Sequence, residues 1–102
     1  MKTKSNKLRK LENNRKSLFT DNKNKCMFCE NIYDLTWHEI YAGKNRQNSM
    51  KYDLCLRMCV KCHKAFQENK AFNDYWHKQG QIKFEEIYSH EDFMNIFHEN
   101  YL

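Results

Sequence analysis

Four cysteines stand in two C-x2-C pairs, Cys26/Cys29 and Cys59/Cys62, and His63 follows the second pair directly. Two thiolates on a tight knuckle reach one tetrahedral Zn²⁺ from the same side, and a second knuckle completes four ligands. His63 is an alternative ligand in place of Cys62, although the knuckles already supply a full set of four thiolates. Two disulfides are the competing use of the same cysteines. The stretch from Met1 to Lys25 is basic and polar with no apolar run, which predicts neither a signal peptide nor a transmembrane helix and places the chain in the cytoplasm. Thiols stay reduced there, so the spacing favours metal over disulfides. Cys55 is left as an unpaired fifth thiol.

A metal suits a chain of this size. With 102 residues, 40% of them hydrophobic, the sequence predicts one small domain with a thin core. A structural zinc adds folding free energy on the order of 10 kcal/mol to such modules.

Charge is concentrated at the N-terminus. Residues 1–25 carry nine Lys or Arg against Glu12 and Asp21, a net +7, so the remaining residues sum to −2 within the chain's total of +5. Residues 1–25 are therefore read as a basic arm and 26–102 as the zinc-binding domain. An arm of this kind neutralises nucleic-acid phosphates with salt-dependent affinity, or serves only as a solvated tail. Lys7, Arg9, Lys10, Arg15 and Lys16 of the arm are the candidate phosphate contacts.

The elements that must position these residues follow from periodicity. Leu8, Leu11, Leu18 and Phe19 recur near helical spacing and predict a short amphipathic helix over 5–19. Residues 35–41 are rich in aromatic and β-branched types and read as a strand, 42–50 as a loop, and 51–58 as a second strand. Alternation on that second strand puts Leu54, Leu56 and Met58 on one face and Cys55 with Arg57 on the other. A helix is expected from His63 to Gln79, interrupted by Gly80, with helical structure resuming over 81–88. Ser89 is placed to cap a last helix carrying Phe93, Ile96 and Phe97. The aromatic stripes are assigned to the core.

Knuckle, strand, loop, strand, knuckle, helix is an order of parts that resembles the ββα-metal module of small phage-type HNH (His-Asn-His) nucleases. The likeness covers roughly residues 26–102. It includes His38-Glu39-Ile40-Tyr41-Ala42-Gly43-Lys44-Asn45-Arg46, Ser49, Lys51-Tyr52, Cys59-Val60-Lys61-Cys62-His63, Glu85-Glu86 and Asn100-Tyr101-Leu102. It implies an α+β fold, a zinc-stabilised ββα-metal (HNH-like) module with additional N- and C-terminal helices. It also implies a structural zinc on the knuckles and a second divalent metal such as Mg²⁺ at His38 and His63. Placed on the family pattern, His38 takes the metal-ligand position, Glu39 the general-base position, Asn45 the loop Asn and His63 the helix His. Lys44 and Arg46 beside them join the nucleic-acid contacts.

Chemistry constrains those roles independently. A metal at the scissile phosphate stabilises developing charge while a neutral imidazole takes a proton from water. A carboxylate is a weaker base near neutral pH. Neighbouring strand residues also point to opposite faces, so His38 and Glu39 share one site only across a bulge. Gln67 stands where some relatives carry a second helix His. Three function classes stay open. They are an active metal-dependent endonuclease or nickase, a catalytically degenerate module that binds DNA or RNA, and a phage or mobile-element protein that binds a host nucleic-acid enzyme as an anti-CRISPR or other anti-defence inhibitor. The balance leans to the non-catalytic readings.

Overall fold

The computed structural model describes residues 5–102, so Lys2 and Lys4 of the basic arm lie outside the described residues. Helix α1 (Asn6–Asn13) is followed by strand β1 (Leu35–Glu39), a 3-10 turn (Gly43–Asn45), α2 (Arg46–Lys51), β2 (Cys55–Cys59), α3 (Val60–Phe66), α4 (Lys70–Ile87) and α5 (His90–Phe97). The two strands pair antiparallel, with Leu35 opposite Cys59, His38 opposite Leu56 and Glu39 opposite Cys55. Among the described residues this is an α+β molecule of five helices and one two-stranded sheet.

The core gathers on the His38 face of the hairpin. Ile40, Tyr41, Leu54, Leu56, Met58, Phe84, Phe93 and Phe97 form one buried cluster. Leu54, Leu56 and Met58 are all fully buried, as strand alternation predicts. The stripe of Phe93 and Phe97 on α5 and Phe84 on α4 supplies the opposing wall, in edge and stacked ring contacts of 4.7–5.9 Å. A second aromatic group joins the first knuckle to the helices. Phe28 sits 5.8 Å from Phe66, 5.5 Å from Phe72 and 6.0 Å from Trp76.

The arm packs along the edge of β2 that β1 leaves open. Leu18 N–H donates to Asp53 O at 2.9 Å, Ser17 bridges to Leu54, and Met27 N–H donates to Arg57 O at 2.9 Å. On the face away from the core, Arg57 lies over the Trp37 ring at 4.6 Å and donates from Nε to Lys23 O. The helix in the arm is shorter than the 5–19 expected. It starts at the Ser5 cap and ends at Asn14, after which the backbone turns to run beside β2.

Further boundaries differ from the sequence expectation: β1 ends at Glu39 rather than at 41, α3 starts at Val60 rather than His63, and three others move for local reasons. The 42–50 loop contains α2, whose Ser49 and Met50 are buried. Ser49 Oγ donates to Tyr41 O at 2.7 Å and accepts from Tyr41 N–H at 3.0 Å, a tertiary anchor that polar composition hides. The second strand therefore begins at Cys55, and Asp53 takes the left-handed φ of 61° that turns the chain into it. The long helix divides at Asn69, whose side chain caps α4 by accepting from Phe72 N–H at 2.9 Å.

Gly80 does not end that helix but sits buried inside it. A Cβ there would lie 2.7 Å from Tyr41 Oη and 3.2 Å from Ile40 Cγ2, and Tyr41 Oη is itself fixed by donating to His77 O at 2.6 Å. The chain end is held to α4 by the buried Gln81. Its Nε2 donates to Glu85 and Asn100, and its Oε1 accepts from Tyr101 N–H at 2.7 Å.

Alanine normally gains ~1 kcal/mol over glycine inside a helix, yet the collision with Tyr41 should make Gly80→Ala destabilising by about 1–3 kcal/mol. Adding Tyr41→Phe should recover part of that loss in denaturant unfolding. A stabilised Gly80→Ala protein would show that α4 is free to move off the hairpin.

Candidate metal centre

Cys59 ends β2 and caps α3, so the second knuckle is a strand-to-helix corner. The first knuckle is a turn closed by Cys26 N–H to Asn31 O and Glu30 N–H to Cys26 O, with Glu30 at a φ of 64°. Together they bring Cys26, Cys29, Cys59 and Cys62 to one place, all four sulfurs within 4.8 Å of one another, with Cys29 and Cys59 3.6 Å apart. Four thiolates at ~2.3 Å from a tetrahedral zinc would be separated by about 3.8 Å. The donor set therefore fits zinc with sub-ångström to ångström adjustments. Among the described residues this is the one cluster of three or more metal-capable side chains.

The corner is prepared for charge. Burial works against a Cys26 thiolate, but backbone N–H groups of Cys59, Phe28 and Cys29 outweigh it and hold its pKa down at about 6. Cys59 is likewise lowered, chiefly by the Cys62 N–H. Burial pushes Cys62 up, with the neighbouring sulfurs adding to it. Two sulfurs thus ionise readily and a metal must displace protons from the others. Cys55 lies apart, opposite Glu39 on the other face. Burial and then the Glu39 charge push it up to about 12, as expected of an inert core thiol.

Beside the clasp, the residue after Cys62 reaches across the core face. His63 Nε2 lies 3.3 Å from His38 Nδ1, with the rings edge to face at 5.2 Å, and Phe72 stands 6.0 Å from His38. Burial, and then His63, depress the His38 pKa, which keeps that ring neutral. The structure thus brings together two of the four residues placed on the catalytic pattern.

It does not bring the other two. Glu39 points to the opposite face, where Oε1 lies 3.4 Å from Arg15 Nη2 and 3.3 Å from Arg46 Nε, in hydrogen-bond alignment with neither. Glu12 Oε2 completes the group at 3.2 Å from Arg15 Nη2 and 2.7 Å from Arg46 Nη2. Glu39, placed on the general-base position by the resemblance, thus lies on the face away from His38. Strand alternation turns it away from His38, and two guanidiniums hold it. Asn45 is also structural. It is buried and donates from Nδ2 to Phe97 O at 3.1 Å, tying the 3-10 turn to the end of α5.

The candidate phosphate contacts divide by residue type. Arg15 and Arg46 belong to the ion group just described, which links arm and body, Arg15 only 15% exposed. Lys7, Arg9, Lys10, Lys16 and Lys44 are exposed. Glu12 is the residue that sequence reasoning missed. Its position three residues before Arg15 was the available signal. His77, on α4, stacks on Tyr41 at 5.4 Å and is half-buried, with its pKa lowered by that burial. No helix among the described residues is long and apolar enough to cross a membrane. Compared with protein-family profiles, curated proteins and solved structures, the chain matches none.

Serine in place of Cys26, Cys29, Cys59 or Cys62 should abolish stoichiometric zinc and cost several kcal/mol of stability, whereas Cys55→Ser should keep one zinc per chain. Because protons compete for the same sulfurs, zinc affinity should weaken progressively as pH falls. A chromogenic zinc indicator reads both. One zinc retained in Cys26→Ser/Cys59→Ser would refute the site.

Proposed function

We propose that the chain is a zinc-stabilised, HNH-like ββα-metal protein of phage type that binds nucleic acid and has lost efficient cleavage. The observation that carries this reading is the His38–His63 pair standing alone on the core face of the hairpin while Glu39 lies behind it. Two nitrogens 3.3 Å apart have the separation of two ligands on one ion, about 3.0–3.4 Å for bonds near 2.1 Å. A divalent ion held there would neutralise phosphodiester charge. The neutral His38 ring has its lone pair available as a ligand without first losing a proton.

Cleavage needs a further group to take a proton from water. Among the described residues no third imidazole, thiol or carboxylate forms a ligand cluster with the pair. Gln67 lies just past α3 as its C-cap, where an imidazole would have added a donor. The site therefore keeps positioning and charge neutralisation and lacks the base. Basic character near it comes from Lys61 and Lys64 on α3, both exposed, which suits contact with a phosphate backbone.

Supercoiled plasmid incubated with Mg²⁺, Mn²⁺ or Ni²⁺ tests the reading. The expected result is DNA retained by the protein, with no nicking above the level of His38→Ala or His63→Ala. Metal-dependent nicking abolished by both substitutions and untouched by Glu39→Gln would instead establish a working endonuclease. Mn²⁺ or Ni²⁺ binding, followed by calorimetry on the zinc-loaded protein, should be lost in His38→Ala.

A further inference from the structure

The arm does more than lie against β2. One face of α1, at positions 7, 10, 11 and 14, stands across from α2, and between them is a groove of about 450 Å³. Lys7 and Lys10 of α1, Lys51 of α2 and Lys16 line it. Leu11 and Met50 line it with them. Met50 is buried and its sulfur accepts from Arg15 Nε at 3.2 Å, so the apolar floor is rigidly backed. Asn14, Gln47 and Asn48 add amide groups, and Asp53 is the one acid among the lining residues.

Charge in this groove is only partly compensated, Lys16 favouring the charged form of Asp53 and Lys51 Nζ lying 5.6 Å from the Tyr52 ring centroid. None of Lys7, Lys10, Lys16 or Lys51 makes an ion pair within 4 Å among the described residues, in contrast to Arg15 and Arg46 close by. Four ammonium groups against one carboxylate in a concave surface concentrate positive potential beyond what the same lysines would give on a convex one. Ammonium groups bind phosphate as point charges, and the apolar side chains beside them offer a contact for a base or sugar. The volume lies within the ~300–1,000 Å³ of small-ligand sites.

We infer that the groove between α1 and α2 is a binding subsite for a nucleoside phosphate, with the phosphate on Lys7, Lys10, Lys16 and Lys51 and the base against Leu11 and Met50. It is separate from the histidine pair, because Arg15, which backs its floor, lies on the Glu39 side of the hairpin while His38 faces the core side. The inference rests on the nucleic-acid reading above and gives it a location that needs no divalent metal. The same chemistry is offered by a nucleotide within a strand and by a free mononucleotide.

Methyl NMR of the zinc-loaded protein distinguishes the outcomes, with a short single-stranded oligonucleotide or a nucleoside monophosphate added and no other divalent metal present. Saturable shifts of the Leu11 and Met50 methyl groups are expected. Lys10→Gln/Lys51→Gln should weaken binding at least tenfold and reduce the slope of log affinity against log salt by about 1.4 for a single strand. Lys78→Gln, on α4, should leave affinity unchanged, and melting curves confirm that the double variant stays folded. Equal shifts with the monophosphate assign the site to free nucleotides, and shifts with the oligonucleotide alone assign it to a strand. Shifts confined to the surroundings of His38 and His63, or affinity indifferent to the two lysines, would overturn the subsite while leaving the nucleic-acid reading intact. Absence of any shift with either ligand would end the subsite, whereas the nucleic-acid reading itself falls only if plasmid is not retained with divalent metal present.

Discussion

The four-sulfur clasp is the constraint on which the rest of the molecule depends. It joins two segments whose facing cysteines, Cys29 and Cys59, are 30 residues apart, and the whole of β1, α2 and the turn into β2 lies in the loop it closes. Closing a loop of that length by chance contact costs chain entropy that a thin core recovers poorly. A metal bound by four thiolates supplies the closure directly. Once closed, the loop fixes Phe28 among Phe66, Phe72 and Trp76, which seats α3 and α4 against the knuckle. His63 is the residue after Cys62, so its position relative to His38 is inherited from the clasp. The α4–α5 wall, by contrast, packs Phe84, Phe93 and Phe97 without help from sulfur.

A two-stranded hairpin has only two faces, and here each is committed. Alternation sends His38, Ile40, Leu56 and Met58 to the side that meets the helices, and Trp37, Glu39, Cys55 and Arg57 to the other. That second side needs a cover, because Cys55 is fully buried and Glu39 nearly so. The arm is the cover. Its Arg15 reaches Glu39, its Glu12 reaches Arg46, and Lys23 O receives Arg57 Nε. A buried carboxylate without a partner costs several kcal/mol, which explains why two guanidiniums, Arg15 from the arm and Arg46 from the body, meet Glu39. The feature that turns Glu39 away from His38 is therefore also one that links the arm to the body.

What could be read in the sequence was whatever a short window determines. The C-x2-C knuckles, the alternation of Leu54, Leu56 and Met58, and the Ser89 cap of α5 are local patterns, and the structure follows them. Features decided by distant partners were not legible. Residues 42–50 look like a loop because their polar side chains do not announce that Ser49 will bind both backbone groups of Tyr41. Gly80 looks like a helix break because its purpose, room for Tyr41 Oη, lies on another element. The strand periodicity did warn that His38 and Glu39 could not face one site, and the structure separates them as that rule requires. Which partner would hold Glu39 was invisible, since Arg15 and Arg46 come from segments on either side of β1.

Net charge was a coarse guide for the same reason. The arm's excess of positive charge is real, but it is divided by side-chain chemistry. A guanidinium is planar, weakly hydrated and able to serve two carboxylates at once, so it tolerates the half-buried position between Glu12 and Glu39. An ammonium is strongly hydrated and stays in water, where Lys7, Lys10 and Lys16 remain. The two sets respond differently to solvent. Charges lining the groove are screened within ~8–10 Å at physiological salt, whereas the Arg15–Glu39 contact is screened far less because water and ions hardly reach it. Salt strong enough to strip a polyanion from the lysines should leave the arm docked, so that binding and folding, both electrostatic in this arm, are separable by ionic strength alone.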